Sequence, residues 1–78
     1  MSEKLKNRGR LEMKRLEAQQ IKLRLETLRD AIRDELDPFE RLDKVDSEKV
    51  ATLADDFDDQ LRQYREALKE IEELKKAI

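Results

Sequence analysis

The apolar residues of this chain recur in two stripes with alternating steps of four and three residues, and one proline-containing break separates the stripes. The upstream stripe consists of Leu11, Lys14 as its one charged member, Ala18, Ile21, Leu25, Leu28 and Ile32. The downstream stripe consists of Val50, Ala54, Phe57, Leu61, Tyr64, Leu68 and Ile71. A seam that repeats about every 3.5 residues is typical of helices that pack on other helices. The pattern therefore predicts an all-α fold, a long antiparallel helical hairpin of the two-helix coiled-coil type.

The single proline, Pro38, sets where the first helix ends. Proline lacks a backbone donor and pushes the residue before it out of the helical region. We expect one helical-hairpin domain over residues 1–78, with a first helix over about 9–36. Because Gly9 costs a helix about 1 kcal/mol relative to alanine, residues 1–8 are expected to be weakly ordered.

The tip of the hairpin is expected to span residues 37–46 and to contain a short helical turn over 38–43. Asp37 before the proline, with a glutamate three residues on, has the pattern of a capping box. The second helix is expected over about 47–77, with Asp46 as its N-cap.

Folding back at this tip brings the two stripes into register when facing residue numbers total 82, as for Ile21 with Leu61 and Leu25 with Phe57. The turn then centres near Arg41. Large residues oppose small ones at Leu28 with Ala54 and at Ala18 with Tyr64, as interdigitating layers require, whereas Lys14 faces Leu68.

A chain of 78 residues is small for a single core, and its first helix is apolar on a second side. Leu5, Leu16 and Leu23 lie nearly opposite the seam at 100° per residue. We expect them to be protein-interaction contacts, most simply in a homodimer that forms a four-helix bundle.

Charge is distributed unevenly along the chain. Residues 1–24 hold eight basic and three acidic side chains, whereas residues 30–59 hold four basic and twelve acidic ones. Antiparallel docking of two hairpins would place each acidic tip beside a basic open end, so an antiparallel dimer is expected. This arrangement is similar in shape and length to the Rop family of plasmid RNA-binding hairpins. The two share no motif, so the resemblance transfers no functional residue.

Two charged clusters are candidates for binding. Lys4, Lys6, Arg8 and Arg10 form a basic arm that predicts possible nucleic-acid contact, although no aromatic residue interleaves to stack bases. Asp55, Asp56, Asp58 and Asp59 surround Phe57 as an acidic patch. A calcium loop would need a central glycine there, so the patch is either a solvated face or a docking surface for a basic partner.

Catalysis has little support in this sequence. The chain has no histidine and no cysteine, which removes the commonest general base, thiolate chemistry and disulfides. We expect no enzyme activity, no cofactor and no metal. No apolar run reaches the roughly 20 residues of a membrane span, so a small cytoplasmic protein without membrane contact is expected. The leading hypothesis is a self-associating protein-interaction module, and the alternatives are a nucleic-acid-binding regulator and an acidic decoy of a basic partner.

Overall fold

The computed structural model describes residues 3–78, which form two long α-helices joined by a short connection. Helix α1 spans Glu3–Glu35 and helix α2 spans Ser47–Lys76. The two helices pack along each other in a body of 61 × 15 × 15 Å. No residue in the described range is in a β-strand. The predicted helical hairpin is confirmed.

Helix α1 begins at Glu3 and continues through Gly9, so residues 3–8, expected to be weakly ordered, form its first turns. Residues 1 and 2 of that segment lie outside the described residues. A side chain at Gly9 would meet open space, so no packing requirement explains the glycine. Glycine costs the helix about 1 kcal/mol relative to alanine, and the neighbouring residues, which are good helix formers, offset this cost.

The connection is a tight turn followed by one turn of 3-10 helix. The Asp37 carboxylate accepts a hydrogen bond from the Phe39 amide at 2.9 Å, and the Asp37 carbonyl accepts one from the Glu40 amide at 3.1 Å. This closed turn uses the capping groups of Asp37. The helical turn expected over 38–43 therefore forms later, at Leu42–Lys44, after Arg41 in an extended conformation.

Helix α2 has the N-cap that the sequence predicts. The Asp46 carboxylate accepts a hydrogen bond from the Lys49 amide at 3.1 Å, which satisfies one of the donors that a helix start leaves unpaired. At the other end, the Ala77 amide donates to the Leu74 carbonyl at 3.1 Å. Lys75 and Lys76 lie in the last turn, where cations favour the negative end of the helix dipole.

The α1 side of the seam lies where the sequence places it, and the α2 side does so in part. Leu11, Ala18, Ile21 and Leu25 are buried on α1, as expected. On α2 the predicted seam residues Ala54 and Leu68 are exposed, and Ala67 is buried instead. The buried and half-buried residues of α2 from its first turn to its last are Val50, Leu53, Phe57, Gln60, Leu61, Tyr64, Ala67, Glu70, Ile71 and Leu74.

The burial of Ala67 in place of Leu68 indicates a register shifted from the predicted one. The two ion pairs that join the helices connect residues whose numbers total 84 rather than 82, because Lys14 Nζ lies 2.6 Å from Glu70 Oε2 and Lys49 Nζ lies 2.7 Å from Glu35 Oε1. An ammonium at a helix interface needs a carboxylate, and Glu70 provides one for Lys14.

Lys14 is held by two carboxylates at the edge of the seam. The hydrogen bond to Glu70, followed by the one to Glu17 at 3.1 Å, raises the pKa of Lys14 above its ordinary value. Because the pKa is raised in the folded chain, this stabilisation is fully present below the ordinary lysine pKa of 10.5 and disappears as the pH rises through the folded value.

Replacing Lys14 by leucine is expected to stabilise the hairpin, because a fully buried seam leucine contributes about 1.5–3 kcal/mol whereas a solvent-screened ion pair contributes little. Circular dichroism at fixed protein concentration should show a melting temperature raised by several degrees. The control, Gln19→Leu, changes an exposed position and should leave the melting temperature nearly unchanged. A lower melting temperature for the Lys14 variant would contradict this interpretation.

Candidate interaction surfaces

The hairpin has two flat sides, each formed by one edge of α1 and one edge of α2. The side that we call the acidic side carries α1 residues that precede a seam residue by one position, such as Arg10, Glu17 and Arg24. From α2 it carries a row of carboxylates, the acidic row, which consists of Asp56, Asp59, Glu66, Glu70 and Glu73. Both ion pairs between the helices lie along this side.

Two of the open grooves on the acidic side are bordered by exposed leucines. The first, toward the open end, is bordered by Met13 and Leu16 on α1 and by Glu70, Glu73 and Leu74 on α2. The second lies nearer the middle and is bordered by Leu23, Leu28, Asp56, Asp59 and Gln60. Each groove combines apolar side chains and cations from α1 with carboxylates from α2; the cations are Arg10 and Lys14 in the first groove and Arg24 in the second.

The leucines predicted as contacts lie at these grooves or near the start of α1. Leu16 borders the first groove and Leu23 borders the second, with exposed fractions of 62% and 55%. Leu5 is 56% exposed near the start of the helix. Met13 was not predicted as a contact, yet it is 74% exposed beside Leu16. Its position about one helical turn before Leu16 could have predicted this.

The second groove contains a polar atom without a partner. Gln60 belongs to the α2 seam, and its Oε1 atom is buried and accepts no hydrogen bond from the described residues. A buried acceptor that lacks a donor costs about 1–3 kcal/mol. The carboxylates of Asp56 and Asp59 border the same groove and are acceptors for a group that donates hydrogen bonds.

The opposite side of the hairpin, the basic side, carries a row of cations on α1. This basic row consists of Arg8, Arg15, Lys22 and Arg29, spaced every seventh residue, and each follows a seam position by one residue. On α2, the residues that follow Leu53, Gln60 and Ala67 by one position are Ala54, Leu61 and Leu68. The row therefore faces apolar residues across the hairpin. Within residues 3–78, its ion pairs are local ones on α1, such as Arg15 with Glu12 at 2.9 Å.

The predicted basic arm is divided between the two sides. In a helix, residues two positions apart point about 200° apart. Lys4 and Arg8 therefore lie toward the basic side, and Lys6 and Arg10 lie toward the acidic side. The four cations therefore do not lie in a single row on the helix, and nucleic-acid contact by them stays a prediction.

The predicted acidic patch is divided in the same way. Asp56 and Asp59 border the second groove. Asp55 and Asp58 point away from it, and Asp58 forms an ion pair with Arg62 at 2.9 Å. Within the described range, no group of three or more histidine, cysteine, aspartate or glutamate side chains is placed to hold a metal ion.

The tip carries exposed apolar residues that the sequence analysis did not single out. Phe39 is 95% exposed, Leu42 is 92% exposed and Leu36 is 52% exposed. Pro38 and the turn closed by Asp37 hold this segment away from the helix seam. The length of the connection between Glu35 and Ser47 was the feature of the sequence that could have predicted the exposure of Phe39.

Comparison with known proteins gives no match to a family model, to a curated protein or to a solved structure. Neither helix, over residues 3–78, has the combined length and hydrophobicity that crossing a bilayer requires. Function is therefore inferred from the exposed apolar side chains and from the charge on the two sides of the hairpin.

Proposed function

We propose that this hairpin is a non-enzymatic protein-interaction module that associates with further copies of itself. The observation that carries the proposal is the balance of buried and exposed apolar residues. Only Leu11, Ala18, Ile21, Leu25, Ala67 and Ile71 are buried among the described residues. Nine large apolar residues are exposed: Leu5, Met13, Leu16, Leu23, Leu36, Phe39, Leu42, Leu68 and Ile78.

Energetics support association. A core of six residues, two of them alanines, gives little stabilisation to a chain of this size, and small natural domains commonly gain the rest by oligomerising. Contiguous exposed apolar side chains rimmed by charge are typical of protein-interaction surfaces. Leu16 and Leu23 meet this description, since each borders a groove that carboxylates line on the other helix.

Association is tested by sedimentation velocity over about 1–300 µM chain, where mass action drives assembly. The intact chain should sediment as a species heavier than a monomer at the upper concentrations. Replacing Leu16 and Leu23 together by glutamate should leave the chain monomeric throughout, because a charged side chain replaces the exposed apolar contact at each groove.

The matched control adds the same two charges at exposed positions outside the grooves and outside both charged rows, as Gln19→Glu and Ala51→Glu. This variant should assemble like the intact chain. An intact chain that stays monomeric at about 300 µM would overturn the proposal. The antiparallel four-helix dimer, nucleic-acid binding and the acidic-decoy role remain predictions.

A further inference from the structure

The two sides of the hairpin carry charge of opposite sign, and this limits how copies can meet. A twofold dimer places the same surface of both copies in contact. If two acidic sides met with α2 against α2, their carboxylate rows would oppose each other, and two basic sides with α1 against α1 would bring together two rows of cations. Like charges across an interface oppose association.

An acidic side and a basic side fit each other in charge and in spacing. Arg15, Lys22 and Arg29 are spaced every seventh residue, as are Asp59, Glu66 and Glu73. Seven residues of helix rise about 10.5 Å, so the two rows have the same repeat and can pair over several steps. Both rows lack partners across their own hairpin, except that Glu70 in the acidic row binds Lys14.

The exposed apolar residues fit the same arrangement. Leu68 is 42% exposed beside the basic row, and Met13, Leu16 and Leu23 are exposed beside the acidic row. Asp56 and Asp59 border the second groove, where an arginine or lysine from another copy can form a charge-assisted hydrogen bond.

We propose that copies of this chain assemble side to side, with the basic row of one copy against the acidic row of the next. The proposal rests on the proposed self-association and specifies its geometry. Each copy then uses both sides, so the contact is heterologous and can repeat beyond two copies. Higher salt weakens it, because exposed charges are screened over about 10 Å at 0.1 M.

The test uses two full-length variants, each with one side reversed in charge. The first carries Asp59→Lys, Glu66→Lys and Glu73→Lys, and the second carries Arg15→Glu, Lys22→Glu and Arg29→Glu. Circular dichroism checks that both are helical. Alone, each variant has two sides of like sign and should be monomeric. Mixed in equal amounts, they should form a heterodimer that stops at two copies, with a dissociation constant at least about tenfold below that of either variant alone.

A third variant carries all six substitutions, which exchanges the signs of the two sides. It should assemble again beyond a dimer, as the intact chain does, and this excludes loss of folding as the cause of the monomers. Self-association of either single-side variant as a dimer, or failure of the mixture to associate while the intact chain does, would overturn the side-to-side geometry alone. A monomeric intact chain would overturn the proposed self-association as well.

Titration of the intact chain with a short RNA duplex, at the same ionic strength, tests the alternative that the basic row binds nucleic acid. RNA binding that the second variant loses, without any association between the two variants, would overturn the side-to-side proposal. Heterodimer formation by the mixed variants in the presence of the duplex supports it.

Discussion

A glutamate in place of Ala67 is expected to unfold the hairpin, whereas a glutamate in place of the adjacent Leu68 is expected to leave it folded. Ala67 is 4% exposed in the seam, while Leu68 is 42% exposed on the basic side. A carboxylate at Ala67 would be both too large for its site and unpaired, which costs about 3 kcal/mol or more. At Leu68 the carboxylate reaches water and costs at most about 1 kcal/mol.

Thermal unfolding by circular dichroism distinguishes these variants at a chain concentration low enough to exclude association. The Ala67 variant should show little helix at 25 °C, and the Leu68 variant should melt within a few degrees of the intact chain. The opposite order of stability would show that Leu68, and not Ala67, packs in the seam, as in the register in which facing residue numbers total 82. The pair is matched, because both variants introduce the same side chain one residue apart.

Replacing Ile21 by alanine is expected to destabilise the hairpin by about 2–5 kcal/mol, since it removes a core side chain and leaves a cavity. Ile21 is 4% exposed. Small domains have about 5–15 kcal/mol of total stability, so this loss takes a large share of it. Leu23→Ala changes an exposed residue of the same helix and should alter the free energy of unfolding by no more than about 0.5 kcal/mol.

Urea unfolding of the dilute chain measures the first effect, and sedimentation of the concentrated chain measures the second. Ile21→Ala should lower the urea midpoint strongly. Leu23→Ala should leave the midpoint in place but weaken assembly, because Leu23 borders a groove on the acidic side. Equal losses of stability in both variants would show that Leu23 belongs to the core and that the proposed contact surface is incorrect.

Much of the fold was predictable from the sequence. The α1 seam follows from one clean stripe, in which Ile21 and Leu25 have no apolar neighbour that competes for the seam. The break follows from Asp37 and Pro38, and the start of α2 follows from Asp46 as its N-cap. These features are local, so the spacing of a few residues determines them.

The register between the helices was not predictable in this way. Helix α2 has apolar residues in adjacent pairs, such as Leu53 with Ala54 and Ala67 with Leu68, and each member of a pair fits a four-and-three stripe. The ion pair of Lys14 with Glu70 accompanies the register in which Ala67 is buried. That interaction joins residues far apart in the sequence.

The candidate surfaces depend on the register, so they could be predicted only in part. Leu16 and Leu23 were predicted as contacts from their position opposite the α1 seam, and the structure exposes both. The acidic and basic rows become visible only when each residue is placed before or after a known seam position. Reading charge along the chain instead grouped Lys4 with Lys6, which the helix places on opposite sides.

The most direct test of the hairpin is a distance between spin labels on Gln19 and Arg65, two exposed residues at matching heights on the two helices. The labelled chain is diluted into unlabelled chain, so that only distances within one molecule are measured. Packed helices have axes about 8–10 Å apart, so a closed hairpin predicts a single distance below about 25 Å including the label arms. A main distance beyond about 45 Å, as an open chain of two helices with a 1.5 Å rise per residue would give, would contradict it.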